Sequence, residues 1–163
     1  LAMPQAPLQT KKRATMFAGA MVLLAQGIPF LEGGAELGRT KMGDRNTYNG
    51  GDAKNRFDWG RASEFRDVAD FYRDLIALRS SMPKGRPGFI AAKDLPEKTV
   101  GFRLGNRLVV LHGGLSSATM SLPTGQWLTR FDGSGQRRPA GLAPRRFALD
   151  PLTAYVFDKA GGR

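Results

Sequence analysis

Gln26-Gly27-Ile28-Pro29-Phe30-Leu31-Glu32-Gly33-Gly34-Ala35-Glu36-Leu37-Gly38-Arg39-Thr40-Lys41 is a short apolar run, Ile28 to Leu31, that ends abruptly in glycine and then in charge. Such a run reads as a buried strand delivering its chain to a loop at a site. Both faces of Ile28 to Leu31 are apolar, as parallel strands require when helices cover them on both sides. Upstream, residues 10 to 25 read as a helix. Thr10 is its candidate cap, and Phe17, Met21 and Leu24 recur at helical spacing beside Ala14, Ala18 and Ala25. Downstream, residues 32 to 62 read as a long polar loop, rich in glycine as far as Gly51. A loop of that length in a compact domain is usually functional or disordered. The placement of Tyr48, Phe57 and Trp59 along it favours function.

A second helix is expected from about Ser63 to Ser81. Ser63 is the candidate N-cap, Glu64 and Asp67 lie in the first turn, and Arg79 lies near the end, each where the helix dipole favours its charge. Phe65, Val68, Tyr72, Leu75 and Ile76 make one apolar stripe, and Pro83 stops the helix. Met82 to Gly88 reads as a junction. Beyond it the period changes to two. Candidate strands are Val100 to Arg103, Leu108 to His112, Ala118 to Leu122, Gln126 to Phe131, Arg145 to Leu149 and Ala154 to Phe157. Gly105-Asn106 suits a two-residue hairpin. Short strands at this spacing imply a small antiparallel sandwich.

The fold class that follows is α/β, then all-β. One strand between two helices cannot close a sheet, so its partner strands must come from elsewhere. Residues 1–84 are expected to be the end of a larger domain, most simply the last strand and helices of a (β/α)8 barrel. Residues 85–163 are expected to form an antiparallel β-sandwich domain. Leu1 in place of methionine fits a fragment, although Met3 offers an initiator.

Composition narrows the function classes. A hydrophobic fraction of 41% and an aromatic fraction of 9% are globular values. A formal charge of +11, from 25 Lys and Arg against 14 Asp and Glu, invites a nucleic-acid reading. The basic residues are scattered, however. Lys11 to Arg13, Arg137-Arg138 and Arg145-Arg146 are short clusters with no aromatic-interleaved stripe, so a solvated basic surface is the better reading. There is no cysteine, which excludes disulfides and thiolate metal sites. The single histidine, His112, follows the apolar run Leu108 to Leu111 and reads as a strand residue near a sheet edge; a metal site needs several convergent ligands. Lys11 to Arg13 followed by Ala14 to Ala25 imitates a signal peptide. The run flows without a break into Ile28 to Leu31 and is too interrupted to span a membrane, so a buried helix is preferred. Cytoplasmic and secreted locations are both compatible with it.

The loop carries the chemistry. Gly43 to Asn49 and Asn55 to Trp59 are dense in amides, carboxylates and aromatics, the groups that hold sugars: planar rings cover the apolar face of a pyranose while Asp, Asn and Arg meet its hydroxyls. Four motifs stand in order: Gln26 to Leu31 with Glu36 and Arg39-Thr40-Lys41; Gly43-Asp44 with Asn46-Thr47-Tyr48; Asn55 with Asp58-Trp59; and Tyr72-Arg73-Asp74-Leu75-Ile76-Ala77-Leu78-Arg79. In that order they resemble the last barrel strand, loop and helix of the pullulanase-type debranching enzymes of the alpha-amylase superfamily. Leu122-Pro123 before Gly125-Gln126-Trp127, and Leu149 to Ala154, are similar to that family's C-terminal domain.

The resemblance implies a parent enzyme that cleaves α-1,6 branch points of pullulan, glycogen or limit dextrins with retention. That chemistry uses two carboxylates about 5 Å apart. In the family these, and a third supporting carboxylate, precede the stretch this chain resembles, so no catalytic residue is expected here and the chain alone is expected to be inactive. Arg39, Asp44, Asn46 and Tyr48 are the expected glucan-facing groups. Turn chemistry is the alternative for Asp44 and Asn46, and packing for Tyr48. Glu36, Asn55, Asp58 and Trp59 are expected to support the loop, Trp59 as its apolar anchor and Glu36 in a possible ion pair with Arg39. Trp127 is expected in the core, with a sugar-stacking platform as the alternative. No cofactor, metal, nucleic acid or membrane is expected; the implied partner is a branched α-glucan. Two other functions remain open at this point: a free-standing, non-catalytic glucan-binding protein, and a basic nucleic-acid-binding protein.

Overall fold

A computed structural model describes residues 3, 5–133 and 141–161. Three helices come first: α1 (Leu8–Leu24), the short α2 (Gly51–Asn55) and α3 (Arg66–Ser80). Seven strands follow: β1 (Gly88–Phe89), β2 (Thr99–Leu104), β3 (Arg107–His112), β4 (Ala118–Ser121), β5 (Trp127–Asp132), β6 (Arg146–Leu149) and β7 (Thr153–Lys159). Five of them make one antiparallel sheet in the order β1-β2-β3-β7-β5, while β4 and β6 pair as a second sheet. The small antiparallel sandwich expected from the spacing is therefore present, and each expected strand lies within two residues of its observed bounds. Only β1 was not foreseen, being too short to show a period.

Alternation along β3 sorts its side chains between two cores. Val109 joins Phe102, Leu104, Ala154 and Val156 against α1 and α3, with Ala20, Leu24, Val68, Phe71, Tyr72 and Leu75. Leu108 and Val110 face the other way, toward Met120, Leu122, Trp127, Phe147, Leu149, Tyr155 and Phe157. Helices thus cover one face of the large sheet and the small sheet covers the other. That double cover is why β3 and β7 are almost continuously apolar rather than alternating. The first core joins residues before position 84 to residues after position 85.

Polar contacts lock these layers together. α1 has no basic residue in its last turn; its carbonyls are met instead by Arg79 of α3, whose guanidinium donates to the oxygens of Leu23, Ala25 and Gly27. Those of Leu23 and Ala25 are among the oxygens a helix end leaves without partners, and Gly27 lies in the segment just after it. Lys12, buried on α1, donates to the Glu64 carbonyl and to Asp67 at 2.8 Å, and lies 5.1 Å from the centre of the Phe65 ring. Arg107 is a fork: its Nε and Nη2 donate to the two oxygens of Asp158 at 2.6 and 3.2 Å, and Nη1 donates to the carbonyl of Ser81 just after α3. The β2–β3 hairpin turns through Gly105-Asn106 as expected, with Gly105 at φ 56°, a region glycine enters without penalty.

Several expectations are corrected. Residues 27 to 31 form no strand, and Ile28 and Phe30 are 97% and 90% exposed. A parallel strand takes its hydrogen bonds and its cover from neighbours, and none of the described strands lies beside it. Leu31 alone turns in, against the first core. α1 and α3 pack on the antiparallel sheet. Thr10 does not cap α1, which starts at Leu8 behind Pro7, a residue suited to opening a helix. Ser63 does not cap α3, because a 3-10 turn at Trp59–Ala62 delays the helix to Arg66. Met21 and Ile76, read as stripe residues, are 44% and 55% exposed. The inward face of α1 keeps Ala14 and Leu24 as expected and adds Lys12, Met16, Gly19, Ala20 and Leu23. His112 is not at an edge: β3 is interior, and the ring is held by Thr99 Oγ1 at 2.8 Å and the Ser116 carbonyl at 2.9 Å. Trp127 is buried, its Nε1 donating to the Pro123 carbonyl at 2.9 Å, so the stacking-platform alternative fails. Arg137-Arg138 lies outside the described residues. Among those described, no helix is long and apolar enough to cross a membrane.

The closest approach of α1 to α3 is at Gly19. A Cβ there meets Tyr72 Cζ and Oη at 2.5 Å, while the hydroxyl is tied to the Thr15 carbonyl at 3.2 Å. Helix propensity favours Gly→Ala by about 1 kcal/mol; overpacking a fixed ring costs about 1–3 kcal/mol. Gly19→Ala is therefore expected to lower stability despite its better propensity. The urea midpoint checks it: an unchanged or higher midpoint removes the tight α1–α3 contact.

Candidate functional site

The loop of residues 32 to 62 contains more local structure than its composition suggests. It opens with a 3-10 turn at Ala35–Leu37, bracketed by Gly34 and Gly38 at φ 89° and 63°. Leu37 is buried, and Gly38 lies against the Phe65 ring, which leaves no room for a side chain there. α2 follows, then the 3-10 turn at Trp59–Ala62.

Arg39 and Asn55 cross-link the two limbs. Arg39 donates from Nη1 to the Gly33 carbonyl at 3.1 Å and from Nη2 to the Asn55 carbonyl. Its guanidinium lies 4.6 Å from the centre of the Phe57 ring, a cation–π contact. Its carboxylate partner is Glu32, at 3.8 Å, and not Glu36. Glu36 lies one turn away on the other side of Leu37, where its charge adds to the burial that raises the Tyr72 hydroxyl above the usual tyrosine range. Asn55 uses both ends of its amide: Oδ1 accepts from Lys41 Nζ at 2.8 Å and Nδ2 donates to the Thr47 carbonyl at 2.7 Å. The sequence singled out Arg39 and Asn55 but not Lys41, Thr47 or Glu32 as their partners.

Asp44 and Asn46 hold the tip. Asp44 Oδ1 accepts from the Asn46 amide at 3.1 Å, and Asn46 Oδ1 accepts from the Tyr48 amide at 3.3 Å. These are two consecutive Asx turns, the turn chemistry weighed for both residues. The other oxygen of Asp44 is paired with Lys54, a contact that no local spacing announced because α2 has to form to present Lys54. Tyr48 projects beyond the turns and is 95% exposed. Asp58 Oδ1 accepts from the Gly60 amide at 3.1 Å. Trp59 is no buried anchor: it is 70% exposed and stacks on Phe57 with ring centres 5.6 Å apart and planes at 18°. Phe57 lies between Arg39 and Trp59. The four expected glucan-facing residues thus divide, with Tyr48 open, Asp44 and Asn46 exposed but engaged in turns, and Arg39 enclosed. Asp44, Asn46 and Tyr48 form an exposed edge carrying carboxylate, amide, hydroxyl and aromatic groups, suited to a polyhydroxylated ligand. Among the described residues, no three His, Cys, Asp or Glu side chains gather as a metal site requires.

The hydrogen bond from Lys54, then that from the Asn46 amide, hold the Asp44 carboxyl below the ordinary aspartate value of 3.8. A carboxylate with a depressed folded pKa contributes order above its unfolded pKa, and the contribution is lost as pH falls through the folded value. The Asn46 amide resonance is expected to titrate with a midpoint below 3.8, and Lys54→Ala should move that midpoint upward. A midpoint unmoved by the substitution eliminates the pair.

No family model matches the chain. Sequence comparison finds a pullulanase of Bacillus subtilis (strain 168), 40% identical over 85 residues, which are 52% of this chain and 12% of that protein. A pullulanase of Klebsiella aerogenes is 29% identical over an alignment covering 98% of this chain and 18% of that protein. Among solved structures, pullulanase from Bacillus acidopullulyticus matches 97% of this chain and 22% of its own with a TM-score of 0.84 and 28% identity. Pullulanase type I from Bacillus subtilis, solved with maltose, matches 98% of this chain and 25% of its own with a TM-score of 0.85 and 27% identity. The chain therefore spans a quarter or less of these relatives. An isoamylase and several glycogen debranching enzymes also match. In sequence and in fold this chain is similar to part of the pullulanase-type debranching enzymes.

Proposed function

We propose that the chain is the C-terminal part of an α-1,6-glucan debranching glycoside hydrolase. In this reading residues 1–84 end a (β/α)8 barrel and residues 85–163 are its β-sandwich partner domain. The observation that carries it is the bare apolar run: Ile28 and Phe30 are nearly fully exposed immediately before an ordered loop. Exposed pairs of large apolar side chains call for cover. In a barrel, strands on either side supply that cover together with the missing backbone partners. Barrel sites gather at the C-terminal ends of the strands, so the loop after Leu31 belongs to the substrate rim.

On that rim Tyr48 offers its ring to a pyranose face, and the free valences of Asp44 and Asn46 accept and donate to hydroxyls. Arg39 acts through the loop it braces and presents the Asp44–Tyr48 edge. Glu36, Asn55, Asp58 and Trp59 support the same loop. The partner is a branched α-glucan such as pullulan, glycogen or a limit dextrin.

Hydrolysis with retention needs a nucleophilic carboxylate and a general acid of raised pKa about 5 Å away. Asp44 moves in the wrong direction for the acid, and Glu32 is within ion-pair distance of Arg39 and Lys41. The cleaving carboxylates belong to the remainder of the parent enzyme.

The purified chain is expected to release no reducing sugar from pullulan; release with contaminating hydrolase excluded overturns the assignment. In the parent enzyme, Tyr48→Ala is expected to raise KM roughly three- to tenfold, the worth of one aromatic contact. Unchanged kcat and KM would place Tyr48 away from the glucan.

A further inference from the structure

A cleft between the start of the loop and α2 has walls that glucan recognition does not use. Arg39, Lys54, Arg56 and Arg61 line it with Phe57 and Asp58. Neutral sugar hydroxyls give no reason to gather four cations. Two of the four have no carboxylate partner. The Arg56 side chain makes no hydrogen bond or ion pair among the described residues, and Arg61 lies over the Phe65 ring at 4.6 Å. A third, Arg39, has both terminal nitrogens engaged by the loop carbonyls of Gly33 and Asn55. Lys54 is paired with Asp44, and the Asp58 carboxylate on the wall already accepts from the Gly60 amide. The cleft therefore keeps an excess of donors over acceptors.

We propose that this cleft binds a phosphate monoester. Arg56 and Arg61 line one pocket, and guanidinium forks match a tetrahedral dianion, which offers them several acceptors. A single carboxylate offers fewer acceptors and less charge, and Asp58 already supplies one. The phosphate can come from two sources: a small sugar phosphate or free phosphate in solution, or a phosphorylated glucose unit on a glucan. The binding step is independent of the debranching reading, and it survives if the rim loop fails to bind neutral glucan.

The test is isothermal titration of the full 163-residue chain with inorganic phosphate, glucose 6-phosphate and, as neutral control, glucose. Both phosphates should bind and glucose should not at the same concentrations. Arg56→Ser should weaken phosphate binding about tenfold, the worth of a lost charge-assisted hydrogen bond. Arg61→Ser should weaken it similarly. Arg45→Ser removes the same charge from an exposed position outside the cleft and should change affinity by less than about twofold. Glucose 6-phosphate binding tighter than inorganic phosphate supports a sugar-borne ligand; equal affinities support the free anion. Three results overturn the proposal: no phosphate binding, glucose binding as well as glucose 6-phosphate, or equal losses in Arg45→Ser and Arg56→Ser. The last identifies diffuse surface charge as the cause. Circular dichroism of each variant separates lost binding from lost fold.

Discussion

Everything else in the molecule rests on the pairing of β3 with β7 and its cover on both faces. The two strands run antiparallel from Arg107↔Asp158 to His112↔Thr153, and five successive residues of β7 are buried. Each fully buried Val, Leu or Phe here contributes about 1.5–3 kcal/mol relative to leaving it in water. One face cannot be satisfied without the helices, nor the other without β4 and β6. The Arg107–Asp158 fork sits at one end of this pair and reaches Ser81, so charge and apolar packing fix the same register. A slip of one residue would turn Val109 and Leu108 to the wrong cores.

The loop gains its order differently. It has few buried side chains, and its shape comes from a small set of amides and cations used twice each. Asn55 holds Lys41 with one end of its amide and Thr47 with the other; Arg39 holds Gly33 and Asn55 while lying on Phe57. Such a network keeps a long, polar segment from collapsing and leaves its outer groups free for a ligand. Beside it, Arg56 and Arg61 have no carboxylate partner among the described residues.

The sandwich was readable because antiparallel strands between turn residues carry a period that survives without context. Helices α1 and α3 were readable for the same reason, and the inward face of α3 follows the expected Phe65, Val68, Tyr72 and Leu75, whereas that of α1 differs in part. Gly19 packs against Tyr72, a contact between residues far apart in sequence, and Met21 lies at the surface. Ile28 to Leu31 has the composition of a buried strand, yet no described strand lies beside it and Ile28 and Phe30 stand exposed. Loop residues were found by type, as Arg39, Asp44 and Asn55 show. Their partners depended on where α2 placed Lys54 and on how the chain folded Phe57, rather than Trp59, under Arg39. His112 was misplaced because strand order is a tertiary fact: nothing local says that β7 lies beside β3.

The shared first core has a consequence for how such tails can be exchanged among related enzymes. Phe102, Leu104, Val109, Ala154 and Val156 are shaped to α1 and α3, and Arg107 is docked on the residue that follows α3. A cut at the Pro-Gly junction near position 84 looks like a clean seam in the sequence. Transplanting the sandwich at that seam onto another host would set its sheet against unfamiliar helices and strand a buried guanidinium. Recombination that succeeds must carry both helices along with the strands, so the unit of inheritance is larger than the unit of secondary structure class.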